Sequence, residues 1–164
     1  MKHIDIIGKN YFGHCEHVRE GSRCIIVKDD KILLSYYTNL ELYMIPGGGK
    51  EEGESDAECC IREVEEETGL IVEVEEPIIE INEYYEDWRY VGKYFIGRIV
   101  GEGKIKLTST EIESGEMPRW LPLHKVLKMF GSYHQFAETD EIRHGIYYRE
   151  YTALFNCLRR LKTA

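Results

Sequence analysis

The spacing of hydrophobic and polar residues divides the chain into a β-rich start, one central helix, a second β-rich part and a helical end. Runs of β-prone or alternating residues predict the strands. The predicted strands are residues 23–27, 31–37, 42–45, 71–85, 90–100 and 120–123. The first two are separated by Lys28-Asp29-Asp30, which predicts a hairpin.

Apolar residues at helical spacing predict the helices. In residues 55–68, Ser55 and Glu58 have the spacing of a capping box, and Gly69 follows as a helix terminator. A short helix is predicted around residues 125–130, and a long amphipathic one over residues 140–161. A mixed sheet covered by helices is the simplest way to bury all these faces, so we predict the α/β class.

Length and cysteine usage predict one reduced domain over residues 1–164. There is no apolar run of the roughly 20 residues that span a bilayer, and the N-terminus lacks a signal peptide's apolar core, so a cytoplasmic protein without membrane contact is expected. The five cysteines form no Cys-x-x-Cys pair. His14-Cys15-Glu16-His17 has zinc-ligand residue types, but no second pair at ligand spacing follows it. Residues 1–20 are expected to form an edge strand or a dimer contact.

Acidic residues outnumber basic ones by 30 to 21, a formal net charge of −9, which disfavours binding to long nucleic acids. The excess is concentrated between residues 48 and 70, where nine acidic residues face only Lys50 and Arg62. This segment is therefore the first candidate for chemistry.

The same segment contains a spaced motif, G-x5-E-x7-R-E-U-x-E-E-x-G-U, in which U is a bulky aliphatic residue. Every fixed position of this motif is filled. The residues are Gly48, Glu54, Arg62, Glu63, Val64, Glu66, Glu67, Gly69 and Leu70. Nine constrained positions with fixed gaps are far more specific than a lone glycine-rich loop.

On a helix, Glu63, Glu66 and Glu67 occupy positions i, i+3 and i+4, so their carboxylates project from one side. Mutual repulsion there is relieved by hard divalent cations, for which carboxylate oxygens are preferred ligands. Arg62 is placed to grip a neighbouring carboxylate. Gly47, Gly48 and Gly49 allow the backbone to approach a ligand and present N–H groups to phosphate oxygens.

The motif, preceded by Pro46-Gly47, resembles the Nudix signature of the MutT-like hydrolases. The resemblance implies an α/β/α sandwich with a mixed sheet. It also implies hydrolysis of a nucleoside diphosphate linked to another moiety, by attack of water on phosphorus with Mg²⁺ or Mn²⁺. Glu63, Glu66 and Glu67 are then expected to bind metal, Glu54 to be an auxiliary carboxylate, and a homodimer to form.

By the same resemblance, a further carboxylate is expected from a loop before a late strand that contains tryptophan. Glu111, Glu113 and Glu116 all precede Trp120, and Glu113 is slightly favoured. For substrate binding, Arg23 is a candidate phosphate or ribose contact. Tyr84, Tyr85, Trp88 and Tyr90 are expected in a loop, where Tyr85 could stack on a base. The substrate itself is not identified by the sequence.

Two other functions are compatible with the same fold. One is a nucleotide-sensing module without catalysis, although such a module would be expected to lose signature glutamates. The other is an isomerase of the isopentenyl diphosphate type, which would need a catalytic cysteine and metal-binding histidines. The sequence shows no such arrangement.

Overall fold

The computed structural model describes residues 1–163, which form two β-sheets and four α-helices. The strands are β1 (Lys2–Ile7), β2 (His17–Ile25), β3 (Val27–Lys28), β4 (Lys31–Tyr37), β5 (Leu42–Met44), β6 (Gly47–Gly49), β7 (Leu70–Val74), β8 (Ile79–Tyr85), β9 (Trp88–Glu102) and β10 (Glu116–Pro122). The helices are α1 (Asp56–Thr68), α2 (Ser109–Glu113), α3 (Leu123–Gly131) and α4 (Glu141–Thr163), with a 3₁₀ turn at Tyr133–Phe136.

The larger sheet is mixed and is organised around the long strand β9. Its order is β1-β8-β9-β2-β6, with β7 pairing to the second half of β9. The pairs β1/β8 and β2/β9 are parallel, whereas β8/β9 and β2/β6 are antiparallel. The smaller, antiparallel sheet has the order β10-β4-β3, and β5 pairs with residues 35–37 of β4.

The hydrophobic core lies on both faces of these sheets, as alternation along the strands requires. On one face, Cys24 and Phe95 pack with Cys60 and Val64 of α1. On the other face, Ile25 and Tyr94, the chain neighbours of Cys24 and Phe95, pack in one cluster with residues of α3 and α4. The predicted α/β/α sandwich with a mixed sheet is confirmed.

Helix α1 begins and ends as its sequence predicts. Ser55 and Glu58 form the reciprocal capping box, and Gly69 ends the helix with φ 74°. That left-handed conformation favours glycine because it has no Cβ. The hairpin at residues 28–30 is also present. Asp29 and Asp30 both have positive φ, as a two-residue turn of this handedness requires.

The prediction of one long strand over residues 71–85 was wrong. The chain leaves the sheet at Glu75-Glu76-Pro77, so β7 and β8 pair with different halves of β9. Proline lacks the N–H that a continuous ladder needs.

The aromatic residues expected in a loop lie in strands. Tyr84 and Tyr85 end β8, and Trp88 and Tyr90 begin β9, with only Glu86 and Asp87 between the two strands. Glu86 has φ 53°, which closes this tight turn. Residues 2–7 form an edge strand, one of the two alternatives predicted for the N-terminal segment. No helix within residues 1–163 is long and apolar enough to cross a membrane.

Candidate active site

Arg62 hydrogen-bonds three carboxylates of the acidic segment. Its Nε donates to Glu54 Oε1 at 2.6 Å, and its Nη1 donates to Glu63 Oε1 at 2.8 Å and to Glu66 Oε2 at 3.1 Å. Its Nη2 donates to the carbonyl oxygen of Gly49 at 3.0 Å. Arg62 lowers the pKa of the Glu54 carboxyl. One planar guanidinium thus fixes three signature carboxylates relative to the glycine segment.

Glu63 packs directly over Gly48. A Cβ added at Gly48 would lie 2.5 Å from the Glu63 carboxylate, so the signature glycine is needed here for space. Burial raises the pKa of Glu63, and the neighbouring Arg62 opposes that shift. The carboxylate therefore lies in a low-dielectric position where a cation would interact with it strongly.

Glu67 is the most buried of the signature acids, with 3% of its surface exposed. Its Oε2 accepts both from Ser35 Oγ at 2.9 Å and from the Gly47 N–H at 3.0 Å. Burial and the nearby carboxylate of Glu116 raise its pKa well above the usual range. Because both hydrogen bonds end on Oε2, neither of them occupies Oε1.

Glu67, Glu111 and Glu116 form the acidic cluster of the site. One oxygen from each of these three side chains lies within 4.8 Å of the others. Glu116 is buried, and neither of its carboxylate oxygens has a well-formed hydrogen bond among the described residues, although Ser35, Glu67 and Tyr37 lie close enough to lower its pKa. Burial, followed by the charge of Glu111, raises the pKa of Glu116. Buried oxygens without partners are rare in folded proteins and point to a missing ligand.

Local chain geometry brings Glu111 and Glu116 to this point. Thr108 and Glu111 form a capping box that starts α2. The chain then turns at Gly115, whose φ is 69°, and enters β10 at Glu116, opposite Tyr37 of β4. A Cβ at Gly115 would lie 1.9 Å from Thr38 Oγ1, so only glycine fits this turn.

The structure does not bring Glu113 into the acidic cluster. Glu113 is the exposed last residue of α2, and its carbonyl oxygen accepts a hydrogen bond from Asn39. Spacing alone could not separate the three glutamates before Trp120. The fold brings Glu111 and Glu116, rather than Glu113, together with Glu67.

The donor set fits a hard divalent cation. All three ligating groups are carboxylates, and oxygen ligands of this kind suit Mg²⁺ or Mn²⁺. The Glu116 oxygens, which lack well-formed hydrogen bonds, and the raised pKa values in the cluster indicate charge that a cation would neutralise. The signature residues Glu63 and Glu66, expected from the sequence to bind metal, accept hydrogen bonds from Arg62 and are not members of this group of three within residues 1–163.

The zinc alternative near the N-terminus gains no support. Cys15 contacts the Tyr11 hydroxyl, His14 lies beside Glu16, and His17 Nδ1 pairs with Asp87 at 3.0 Å. Within residues 1–163, these side chains do not converge as a group of three ligands.

A cavity of about 590 Å³ opens beside the acidic segment. Gly48, Gly49, Arg23 and Tyr85 line it. Gly47, Gly48 and Gly49 form the strand β6 rather than a loop, and the Gly47 N–H is already bonded to Glu67. Arg23 Nη1 donates to the Ile45 carbonyl oxygen at 2.7 Å, so one nitrogen of this guanidinium is engaged in a hydrogen bond within the protein.

Arg19 is a candidate that the sequence analysis missed. It lies at the mouth of the cavity, and a Cβ at Gly49 would be 2.9 Å from its Nη2. No ion pair or hydrogen bond of its side chain is formed with the described residues. The signal that could have found it is its pairing with Tyr90 on the adjacent strand, which depends on the sheet register.

Replacing Arg62 with lysine is expected to weaken Mn²⁺ binding by about 10- to 100-fold, the range found when groups that orient metal ligands are lost. An ammonium cannot reproduce the planar fork that reaches Glu54, Glu63 and Glu66 together. Titration followed by electron paramagnetic resonance measures this affinity. Arg98→Lys is the matched control, since Arg98 forms an exposed ion pair with Glu73. Unchanged affinity in Arg62→Lys would refute the orienting role.

Comparisons with known proteins agree with this geometry. The NUDIX domain family matches residues 18–140. An uncharacterized Nudix hydrolase of Bacillus subtilis, YvcI, is 36% identical over 56 residues, which cover 34% of this chain and 35% of that relative. The match thus spans about a third of the relative's length.

Solved structures show the same fold. A NUDIX hydrolase from Nitrosomonas europaea superposes with a TM-score of 0.53 and 25% identity, covering 66% of this chain and 74% of that one. A mutator MutT protein from Bacillus halodurans gives a TM-score of 0.50 and 26% identity, covering 67% and 72%. The signature at residues 48–70 is complete, the mixed sheet matches, and the family model covers well over half of the chain. The chain therefore belongs to the Nudix hydrolase family.

Proposed function

We propose that this protein hydrolyses the diphosphate linkage of a nucleoside diphosphate joined to another moiety, with Mg²⁺ or Mn²⁺ as cofactor. The acidic cluster is the observation that carries the proposal. A buried Glu116 whose oxygens lack well-formed hydrogen bonds, beside Glu67 and Glu111, is costly for the fold alone. Its cost is offset if these oxygens bind a cation that the reaction uses.

Glu67, Glu111 and Glu116 would hold the metal, with Glu63 and Glu66 available at the border of the same site. When bound, divalent cations neutralise charge on phosphate oxygens and lower the pKa of a coordinated water. Arg62 keeps the signature carboxylates in position, and Glu54 supports Arg62 in turn. Ser35 and the Gly47 N–H fix the Glu67 carboxylate from the core side.

The substrate would extend from the acidic segment into the adjoining cavity. Gly48 and Gly49 line this cavity, and the Arg19 guanidinium lies over Gly49, where it is available to a phosphate. Arg23 and Tyr85 line the same cavity, which supports their assignment to substrate binding. A cytoplasmic location and a homodimer stay predictions.

The two alternatives fit the site less well. A sensor without catalysis would have no need for an intact signature and an acidic cluster. An isomerase would need a reactive cysteine, and the two cysteines within the signature segment, Cys59 and Cys60, are both buried. The Cys59 Sγ contacts the Gly48 carbonyl oxygen, and burial raises the pKa of Cys59 to about 11, so this thiol stays protonated.

Hydrolysis of a panel of nucleoside diphosphate derivatives tests the proposal. The panel should include sugar-linked, nucleoside-linked and triphosphate compounds, each with Mg²⁺, Mn²⁺ or chelator. We expect cleavage only with metal, and in ¹⁸O-labelled water the label should enter a phosphate product. Cleavage that persists in chelator, or the absence of cleavage across the panel with tight binding of one compound, would contradict the hydrolase assignment.

A further inference from the structure

The open part of the cavity floor lies at one glycine, Gly92 of β9. Its register partner Gly21 of β2 also lines the cavity, but a Cβ at Gly21 would lie 2.5 Å from the Gly48 carbonyl oxygen, so Gly21 serves the close approach of β2 and β6. A Cβ added at Gly92 would meet its nearest neighbours, Ile81 and Tyr94, only at 3.7 Å. Gly92 therefore does not serve close backbone packing, and its missing side chain leaves open space in the cavity.

The walls of the cavity suit a flat ring. Tyr90 stacks on Trp88 with ring centroids 5.6 Å apart and an interplanar angle of 14°, and Trp88 stacks on His17 in the same way. This ladder fixes the orientation of the Tyr90 ring. From α4, Ile146 and the largely exposed Ile142 also line the cavity. An aromatic ring and an aliphatic side chain beside the space at Gly92 favour a planar ligand.

A buried carboxylate, Glu83, faces this space and is 7% exposed. Arg149 Nη1 donates to its Oε1 at 3.1 Å, and the Tyr85 hydroxyl donates to its Oε2 at 3.3 Å. Each carboxylate oxygen can accept about two hydrogen bonds, so both retain acceptor capacity. Glu83 is thus oriented by the protein without being saturated.

The positive charges near Glu83 are already engaged. Arg149 Nε donates to Glu150 at 2.8 Å, and Glu150 also accepts from the Ile45 N–H. Arg23 donates to the Ile45 carbonyl oxygen. A ligand deep in the cavity therefore meets an acceptor more readily than a donor. Glu150 and Arg149 belong to α4, which lies beyond residues 18–140 that match the family.

We propose that this cavity binds a planar heterocycle that carries an exocyclic amino group, and that Glu83 accepts a hydrogen bond from that group. Gly92 provides the space for the ring, and Tyr90 stacks on its face. The proposal rests on the proposed function, because the phosphates of the same ligand would extend from this cavity toward the acidic cluster. It assigns the substrate to amino-bearing nucleotides and makes α4 a part of the specificity site.

Binding of nucleoside 5′-monophosphates by isothermal titration in the presence of Mg²⁺ tests this assignment. These probes contain no diphosphate linkage, so they report on the cavity without hydrolysis. Guanosine and inosine monophosphates differ only in one amino group, and cytidine and uridine monophosphates differ in an amino against an oxo group. We expect at least one pair to favour the amino member by about tenfold or more, as one base-edge hydrogen bond does.

Two glycine substitutions on β9 distinguish loss of space in the cavity from a general effect on the fold. Gly92→Val fills the floor and should weaken binding of the preferred monophosphate by about tenfold or more, since the ring and the new side chain cannot share the space. Gly101→Val is its control. A Cβ there lies 3.8 Å from Ile71, far along β9 from the cavity, and binding should be unchanged. Glu83→Leu, which removes both acceptor oxygens, should abolish the preference for the amino member.

Equal binding of both members of every pair, or equal binding by wild type and Gly92→Val, would overturn the proposal even if hydrolysis is observed. So would the absence of measurable binding of all monophosphates to the wild-type protein. Conversely, the predicted binding pattern without cleavage of any diphosphate would support the cavity assignment and contradict only the hydrolase. The two proposals therefore fail separately.

Discussion

Glu67→Gln should lower kcat by about a thousandfold while leaving the protein folded. Loss of a metal-binding oxygen removes several kcal/mol of transition-state charge stabilisation, and each 1.36 kcal/mol corresponds to a factor of ten. The substitution is conservative in this site because Ser35 and the Gly47 N–H both donate to Oε2. One amide oxygen can accept both bonds, so the change falls on the oxygen that faces the cluster.

The measurement is kcat for the best substrate of the panel, alongside a thermal unfolding curve for each variant. Glu65→Gln is the matched control, since Glu65 lies on the same helix at an unconstrained position of the signature. It should retain activity within about twofold, as surface changes usually do. If Glu67→Gln and Glu65→Gln had equal kcat values, Glu67 would have no part in the reaction.

Glu116→Gln is expected to weaken Mn²⁺ binding and to stabilise the metal-free protein. Burial and the charge of Glu111 raise the pKa of Glu116 in the folded protein. A carboxyl with a raised folded pKa favours folding below its unfolded pKa, near 4.3, and loses that contribution as pH rises through the folded value. At pH 8 the charged group therefore opposes folding, and the neutral amide should raise the unfolding midpoint by about 2–4 °C.

The comparison with Glu113→Gln makes this prediction selective. Glu113 is exposed at the end of α2, so its substitution should leave the midpoint and the Mn²⁺ affinity unchanged. For Glu116→Gln we expect about 10- to 100-fold weaker Mn²⁺ binding. At pH 4, the stability difference from wild type should largely vanish. The opposite ranking of the two variants would restore Glu113 as the late carboxylate.

Local sequence signals predicted helix α1 and its chemistry well. The capping box at Ser55, the terminating Gly69 and the helical spacing of Glu63 and Glu67 all act within a few residues, so they can be read without knowing the rest of the fold. The hairpin at residues 28–30 is local in the same sense. The signature placed Arg62 beside the acids it binds because helix geometry fixes that spacing.

Features that depend on long-range pairing could not be predicted. The choice of Glu116 over Glu113 follows from the turn at Gly115 and from the register of β10 with β4. The break between β7 and β8 becomes evident only when both strands pair with β9. Arg149 meets Glu83 across 66 positions of sequence, and no spacing rule connects them. The positions of Glu116 and of the Arg149–Glu83 pair therefore depend on the complete fold.

Anomalous scattering from a crystal of the protein soaked in Mn²⁺ shows whether Glu67, Glu111 and Glu116 hold a divalent cation. We predict an anomalous peak at coordination distance, about 2.0–2.3 Å, from oxygens of Glu67 and of Glu116 or Glu111. At saturating Mn²⁺, an acidic cluster without a peak, or a strong peak coordinated only by other residues, would contradict the account.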